Sequence, residues 1–375
     1  MELLYDLVYV FILARIADTL FENLNWLGAY QSLLLLLAAW WVWSYTALAT
    51  DTLNSERPPA QLLVIAIMFG TLVLGVSLPE AFEERGLYFA SAYVGIHLFR
   101  SGFLAVVLRN NRLRHRPFRG IFWFGISGVL WLAGAVRDGH WRVLLWTIAL
   151  AIDYLTPLLR WPTPFLGRSP RWEWKHAGEH LVERYRQFIN IALGETILVM
   201  ARTFRGSDHG LHRGASLVVS FMTTVLQWWI YFYRTREKLG PAIGATAESQ
   251  SDSRMAGHAH LIMVAGIVAT TVGDQIIIEH PSGGSHPGWV AIIVGGPALF
   301  LAGRTLLGHE STVHVIGPWL VGCAVLLLMS PAMLLLPPLG VAITTTTVLL
   351  GVAVADTIST GFDVSHRLTR RFRRS

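Results

Sequence analysis

The chain has 375 residues, of which 53% are hydrophobic and only 14% charged. Soluble domains carry about a quarter charged residues because their surface faces water, so a water-solvated globular domain is excluded and lipid must solvate most of this surface. The net charge of +6 does not mark a nucleic-acid binder. The arginines sit in short loops and in the tail after Ser365, where anionic headgroups attract them, and no basic stripe interleaved with aromatics lies on a polar helix.

A helix crosses the hydrocarbon core with about twenty residues. Apolar windows of that length fall at 2–21, 27–50, 60–79, 88–108, 117–136, 141–159, 178–202, 214–234, 257–278, 287–307, 314–336 and 339–358. They predict an all-α integral membrane protein of about twelve transmembrane helices; a barrel would show short alternating segments instead. The first span follows directly on Glu2 and reads as an uncleaved signal-anchor. Pro58-Pro59, the Gly- and Ser-rich 281–288 stretch and Pro337-Pro338 punctuate the loops. The single cysteine, Cys323, lies in the eleventh span, cannot form an intramolecular disulfide, and reads as a small apolar filler.

Nineteen of the thirty Lys and Arg residues fall in or border the loops after the even-numbered spans and the C-terminal tail; six fall in or border the opposite loops. The positive-inside bias therefore predicts both termini on the cytoplasmic side of the bacterial inner (plasma) membrane.

An internal duplication is visible. Trp40-Trp41-Val42-Trp43 closes span two, and Trp228-Trp229-Ile230-Tyr231 closes span eight. Gly95, Leu98, Phe99 and Gly102 of span four return as Gly296, Leu299, Phe300 and Gly303 of span ten. Asp153 in span six matches Asp356 in span twelve. The order predicts two parallel six-helix repeats, 1–159 and 178–358, joined by a cytoplasmic linker 160–177 and followed by a basic cytoplasmic tail 359–375.

The opening Glu2-Leu-Leu-Tyr-Asp6-Leu-Val-Tyr-Val-Phe11, the Trp-Trp-Val-Trp-Ser-Tyr-Thr run of span two, and His180-Leu-Val-Glu183-Arg184-Tyr185 followed by Gly194-Glu195-Thr resemble the bacterial low temperature requirement A family. The resemblance covers essentially the whole chain and implies a polytopic membrane protein. Where relatives carry an aromatic pair after the opening Glu-Leu, this chain has Leu4-Tyr5.

Ionisable side chains inside a bilayer cost roughly 2.5–3.5 kcal/mol on insertion scales, so those that remain are paired, snorkelling or functional. His176, Glu179, His180, Glu183 and Arg184 lie on one helical face at the start of span seven. Span one brings Glu2 and Asp6 to the same depth, and span nine brings His258 and His260. The candidate polar site is therefore Glu2, Asp6, His180, Glu183, Arg184 and His260, with His176, Glu179 and His258 beside it. Three readings stand open. One is an interfacial ion-pair network in which Arg184 neutralises Glu183. Another is a proton or coupling-ion site, which carboxylates and histidines suit. The third is a metal site, since His176-x-x-Glu179-His180 matches the inverted zinc-peptidase pattern and a divalent cofactor is conceivable on it.

Asp153 and Glu195 lie deeper and are secondary candidates, with Arg100 and Arg304 as expected partners. Asp356 reads as snorkelling from the cytoplasmic end, the tryptophans of spans two and eight as interfacial belts, and the glycines of spans four and ten as close-packing faces. The expected function is a secondary transporter or similar permeation protein, proton- or ion-coupled, moving a small molecule, ion or lipid across the bilayer. The alternative is a membrane-embedded enzyme acting on a lipid or isoprenoid at the inner leaflet. No ATP-binding P-loop occurs in the sequence.

Overall fold

The computed structural model describes residues 2–53, 58–170, 173, 179–206, 210–246, 250–308 and 317–372. Among them the regular structure is helical: α1 (Glu2–Glu22), α2 (Trp26–Thr52), α3 (Pro58–Ser77), α4 (Gly86–Val107), α5 (Arg116–Ala135), α6 (His140–Leu158), α7 (Glu179–Arg205), α8 (Leu211–Thr246), α9 (Gln250–Glu279), α10 (Pro287–Gly308), α11 (Pro318–Met333) and α12 (Pro338–Phe372). Prolines open α3, α10, α11 and α12, where a missing N–H costs nothing. Asn25 caps α2 by accepting from the Gly28 N–H at 2.9 Å.

Nine of the described helices are long and apolar enough to cross a membrane, so the chain is a multi-pass membrane protein. The other three are α1 and α7, which carry the charged residues discussed below, and α11, which has sixteen residues.

The chain forms two compact units, Met1–Ile191 and Ala192–Ser375. In the first, α2 packs on α3, α4 and α6, the helices α3 to α6 pack successively, and α1 lies on α2 and α3. In the second, α8 packs on α9, α10 and α12, and α9 to α12 pack successively. After α6 the chain turns through Arg160, Trp161 and Phe165 at positive φ. Three carbonyls of this turn, those of Trp161, Leu166 and Gly167, accept from the buried Arg119 guanidinium. Arg119 thereby satisfies backbone groups that a loop against a membrane bundle would otherwise strand.

Two sequence expectations change here. The tryptophans of α2 do not form a belt: Trp40, Trp41 and Trp43 are buried. Trp40 stacks on Tyr185 and meets Phe188 edge-on, while Trp41 stacks on Tyr154. The counterparts Trp228 and Trp229 are exposed, as a belt requires. The glycines divide likewise. A Cβ on Gly296 would lie 2.5 Å from the Thr270 nitrogen, and one on Gly303 would lie 2.7 Å from the Ala259 carbonyl oxygen, so α10 packs backbone to backbone on α9. At Gly95 and Gly102 nothing lies within 4 Å of the same position, and α4 makes no such crossing there.

Candidate functional site

In the first unit, three charged side chains meet. Glu2 and Asp6 stand one turn apart on α1, the i, i+4 spacing that puts side chains on one helical face. The Arg184 guanidinium of α7 donates to the Asp6 carboxylate at 2.8 Å and lies 3.3 Å from the Glu2 carboxylate. Trp43 of α2 donates its indole N–H to the same Asp6 oxygen at 2.9 Å, and the Arg184 guanidinium sits 5.8 Å from the Trp43 ring centroid. Asp6 is 0% and Arg184 2% exposed. Two carboxylates against one guanidinium leave one formal negative charge on the group. The second Asp6 oxygen is buried without a hydrogen-bond partner.

Glu183 is not part of this group. It is exposed and accepts from Arg186 at 3.1 Å, so the expected neutralisation of Glu183 by Arg184 is replaced by Arg184 with Asp6. The reason is helical geometry: successive side chains point away from each other, whereas i, i+3 pairs meet. His176 lies outside the described residues, as do the side chains of Glu179 and His180.

A second buried cluster runs through α2, α4, α5 and α6. Arg100, 2% exposed, donates to His97 Nδ1 at 2.6 Å, to the Thr46 hydroxyl at 3.4 Å and to the Val42 carbonyl at 3.5 Å. Because arginine only donates, Nδ1 of His97 is an acceptor and its proton resides on Nε2. The Tyr45 and Phe124 rings flank the guanidinium at 5.3 and 5.7 Å. Every one of these contacts is neutral, so among the described residues Arg100 is a buried cation without a carboxylate beside it. Asp153 is not its partner: that carboxylate accepts from Tyr93 at 2.9 Å and Trp131 at 3.4 Å. The Tyr93 ring packs on His97 with centroids 4.5 Å apart, linking the two groups through one side chain. Arg100 also lines a small pocket with Tyr45, Ser101, Arg116, Phe124 and Trp161. Tyr5 and Tyr9 add a further pair, hydroxyl to hydroxyl at 3.1 Å, with Tyr9 donating to the Ala39 carbonyl.

The remaining candidates belong to the second unit. His260 is buried; its Nδ1–H donates to the Ala256 carbonyl and its Nε2 meets the Tyr231 hydroxyl at 2.8 Å. His258 is exposed. Glu195 and Asp356 are each 2% exposed, so Asp356 does not snorkel. Arg304 donates to the Ile230 carbonyl at 3.3 Å and lies 4.3 Å from the Trp319 ring centroid. Among the described residues, no three His, Cys, Asp or Glu side chains are grouped as a metal ion would require. Sequence reading passed over Asp274 of α9, which is buried and lines a small pocket of the second unit. It stands late in an apolar span, where a carboxylate reads as a helix end.

Residues 1–354 match the family described as bacterial low temperature requirement A protein (LtrA). An uncharacterized protein of Rhizobium meliloti (strain 1021) is 36% identical over 321 residues, covering 83% of this chain and 77% of that protein. No solved structure matches. The match over nearly the whole length, on a helical scaffold that brings the opening Glu2 and Asp6 and Arg184 of α7 together as one charged group, makes this chain a member of the bacterial low temperature requirement A family.

Proposed function

We propose that the protein is a permeation protein or secondary transporter of the bacterial plasma membrane, coupled to a proton or another ion. The observation that carries the reading is the row of buried polar and charged groups inside the first unit. A purely structural bundle has no need of Arg100 without a carboxylate, or of Asp153 held only by neutral donors, as both stand among the described residues. Lipid-embedded charge is costly and concentrates where something must pass or bind. The aromatic and guanidinium-lined pocket beside Arg100 supplies an entry space.

The remaining parts of the reading follow from the sequence. The bundle has about twelve spans, with both termini cytoplasmic, and α1, α7 and α11 complete the set. The two halves, 1–159 and 178–358, are parallel repeats. The like helix pairings within each unit support this, and so does a shared arginine contact: Arg100 reaches the Val42 carbonyl and Arg304 the Ile230 carbonyl, equivalent positions of the two Trp-Trp motifs. The arginines require a register three residues different from the Gly-x-x-Leu-Phe-x-x-Gly match, in line with the different surroundings of those glycines.

The test is ion flux in proteoliposomes containing the purified protein and a trapped pH indicator. Under an imposed membrane potential, wild type should acidify or alkalinise the lumen faster than empty vesicles, and Asp153→Asn should lose that flux while purifying normally. Flux equal to that of empty vesicles under every ion gradient would sink the reading.

A further inference from the structure

In the second unit, Asp274 is buried among hydroxyl side chains, with one carboxylate oxygen unsatisfied. Asp274 of α9 is 4% exposed and pairs with no basic side chain among the described residues; its Oδ2 has no hydrogen-bond partner. Ser220 of α8 lies beside it. The Ser220 hydroxyl, the Thr345 hydroxyl of α12 and the Gln227 side-chain oxygen of α8 are likewise buried without partners. Thr223, Thr270, Asp274 and Thr345 line one pocket together with Ile277 and Ile293.

The directions of the hydroxyl protons decide what this pocket can hold. Thr270 donates to the Gly266 carbonyl, and the Thr223 hydroxyl bonds the Val219 carbonyl at 3.1 Å and the Thr346 hydroxyl at 2.7 Å. Thr270 also accepts from the Gln227 amide N–H at 3.0 Å, which leaves the Gln227 oxygen as the free end of that amide. With its proton committed to the preceding turn, the Thr270 hydroxyl has one lone pair left for the pocket. A set of oxygen lone pairs around one carboxylate, with no protein cation to answer it, is an environment for a hard cation. One carboxylate balances one positive charge, whereas the oxygen cages of divalent ions draw on several.

We propose that the Asp274 pocket binds a sodium-sized monovalent cation, with the Asp274 carboxylate as the charged ligand and the Thr345, Ser220 and Thr223 hydroxyls as neutral ones. Three helices contribute, so occupancy ties α8, α9 and α12 together. This deepens the transport reading by naming a coupling ion, and rests on that reading only for the coupling; binding itself stands apart from it.

The experiment is thermal unfolding of the detergent-purified protein in sodium, potassium or choline chloride at equal ionic strength, together with saturation binding of radioactive sodium. A cation that binds only the folded state raises the melting temperature. Sodium should raise it by several degrees over choline and more than potassium does. Asp274→Asn should abolish the sodium shift, and Thr345→Val should weaken sodium binding several-fold. A wild-type protein whose melting temperature is the same in all three salts, or an Asp274→Asn protein with the full shift, would overturn the proposal. Should Asp274→Asn not fold, either unaltered sodium binding by Thr345→Val or no saturable sodium binding to wild type would overturn it equally. Failure here leaves the Asp153 flux test untouched, so the two readings fall separately.

Discussion

Arg184 and Asp6 lie 178 positions apart in the chain and share a 2.8 Å hydrogen bond inside the first unit, where both are almost wholly buried. Each makes the other tolerable. Taking an ion out of water costs several kcal/mol, and attraction in a low-dielectric interior repays it only while the partner stays. Arg184→Met should therefore destabilise the purified protein by about 3–5 kcal/mol, the usual cost of stranding one member of a buried pair. The double variant Asp6→Leu, Arg184→Met should lose much less, because it strands neither charge. Chemical or thermal unfolding of the cycle decides it, and simple additivity of the two single losses would contradict the pairing.

The α9–α10 crossing brings two helix backbones together at glycines. A Cβ on Gly266 would lie 2.5 Å from the Phe300 nitrogen, and Gly296 is matched to Thr270 in the same way. Gly266→Ala has no flexible side chain to displace and should cost about 1–3 kcal/mol, as overpacking does. Gly95→Ala meets nothing within 4 Å and should shift stability by less than about 0.5 kcal/mol, as substitutions away from packed features do. Equal losses at the two sites would show that the α4 glycine packs as tightly as those of α9 and α10.

How far the sequence was readable depends on what each residue answers to. The nine apolar helices follow from length and hydropathy alone, since a bilayer imposes both. Asp6 and Arg184 stood out because charge in an apolar span is expensive. Their pairing did not, because a contact 178 positions apart leaves no trace in local spacing. The neighbour Glu183 was the natural partner on paper and the wrong one in space. Trp40, Trp41 and Trp43 read as a belt because composition does not tell a lipid-facing tryptophan from one packed on Tyr185 and Tyr154. Asp274 escaped notice because its supporting groups, Ser220, Thr223 and Thr345, are ordinary hydroxyl residues of two other helices.

Among the described residues, Trp43 supplies the one neutral donor to Asp6. Trp43→Phe keeps the ring and removes the N–H, and hydrogen bonds to charged groups contribute about 1.5–3 kcal/mol. The variant should melt lower by a corresponding amount, while Trp40→Phe, whose described contacts are ring contacts, should lose less. A Trp43→Phe protein as stable as wild type would remove the indole from the charge network.

Topology follows from the distribution of arginines. A reporter active only in the cytoplasm should be active when fused after Ser375 and silent when inserted in the 281–288 loop, given the nineteen-to-six bias of Lys and Arg. The reverse pattern would invert every depth assigned here.

The central claim is that the buried polar groups of the first unit border a route across the membrane rather than a sealed packing network. Cys323 is the single cysteine of the chain, so a Cys323→Ser background carrying Ser101→Cys places one thiol at the pocket beside Arg100. Labelling of that thiol by a membrane-impermeant thiol reagent, applied in turn from each side of oriented vesicles, is the most direct measurement. The account predicts modification from both sides, with the balance changing when the ion gradient is reversed. A thiol that stays unmodified from the outer face under every gradient would contradict it.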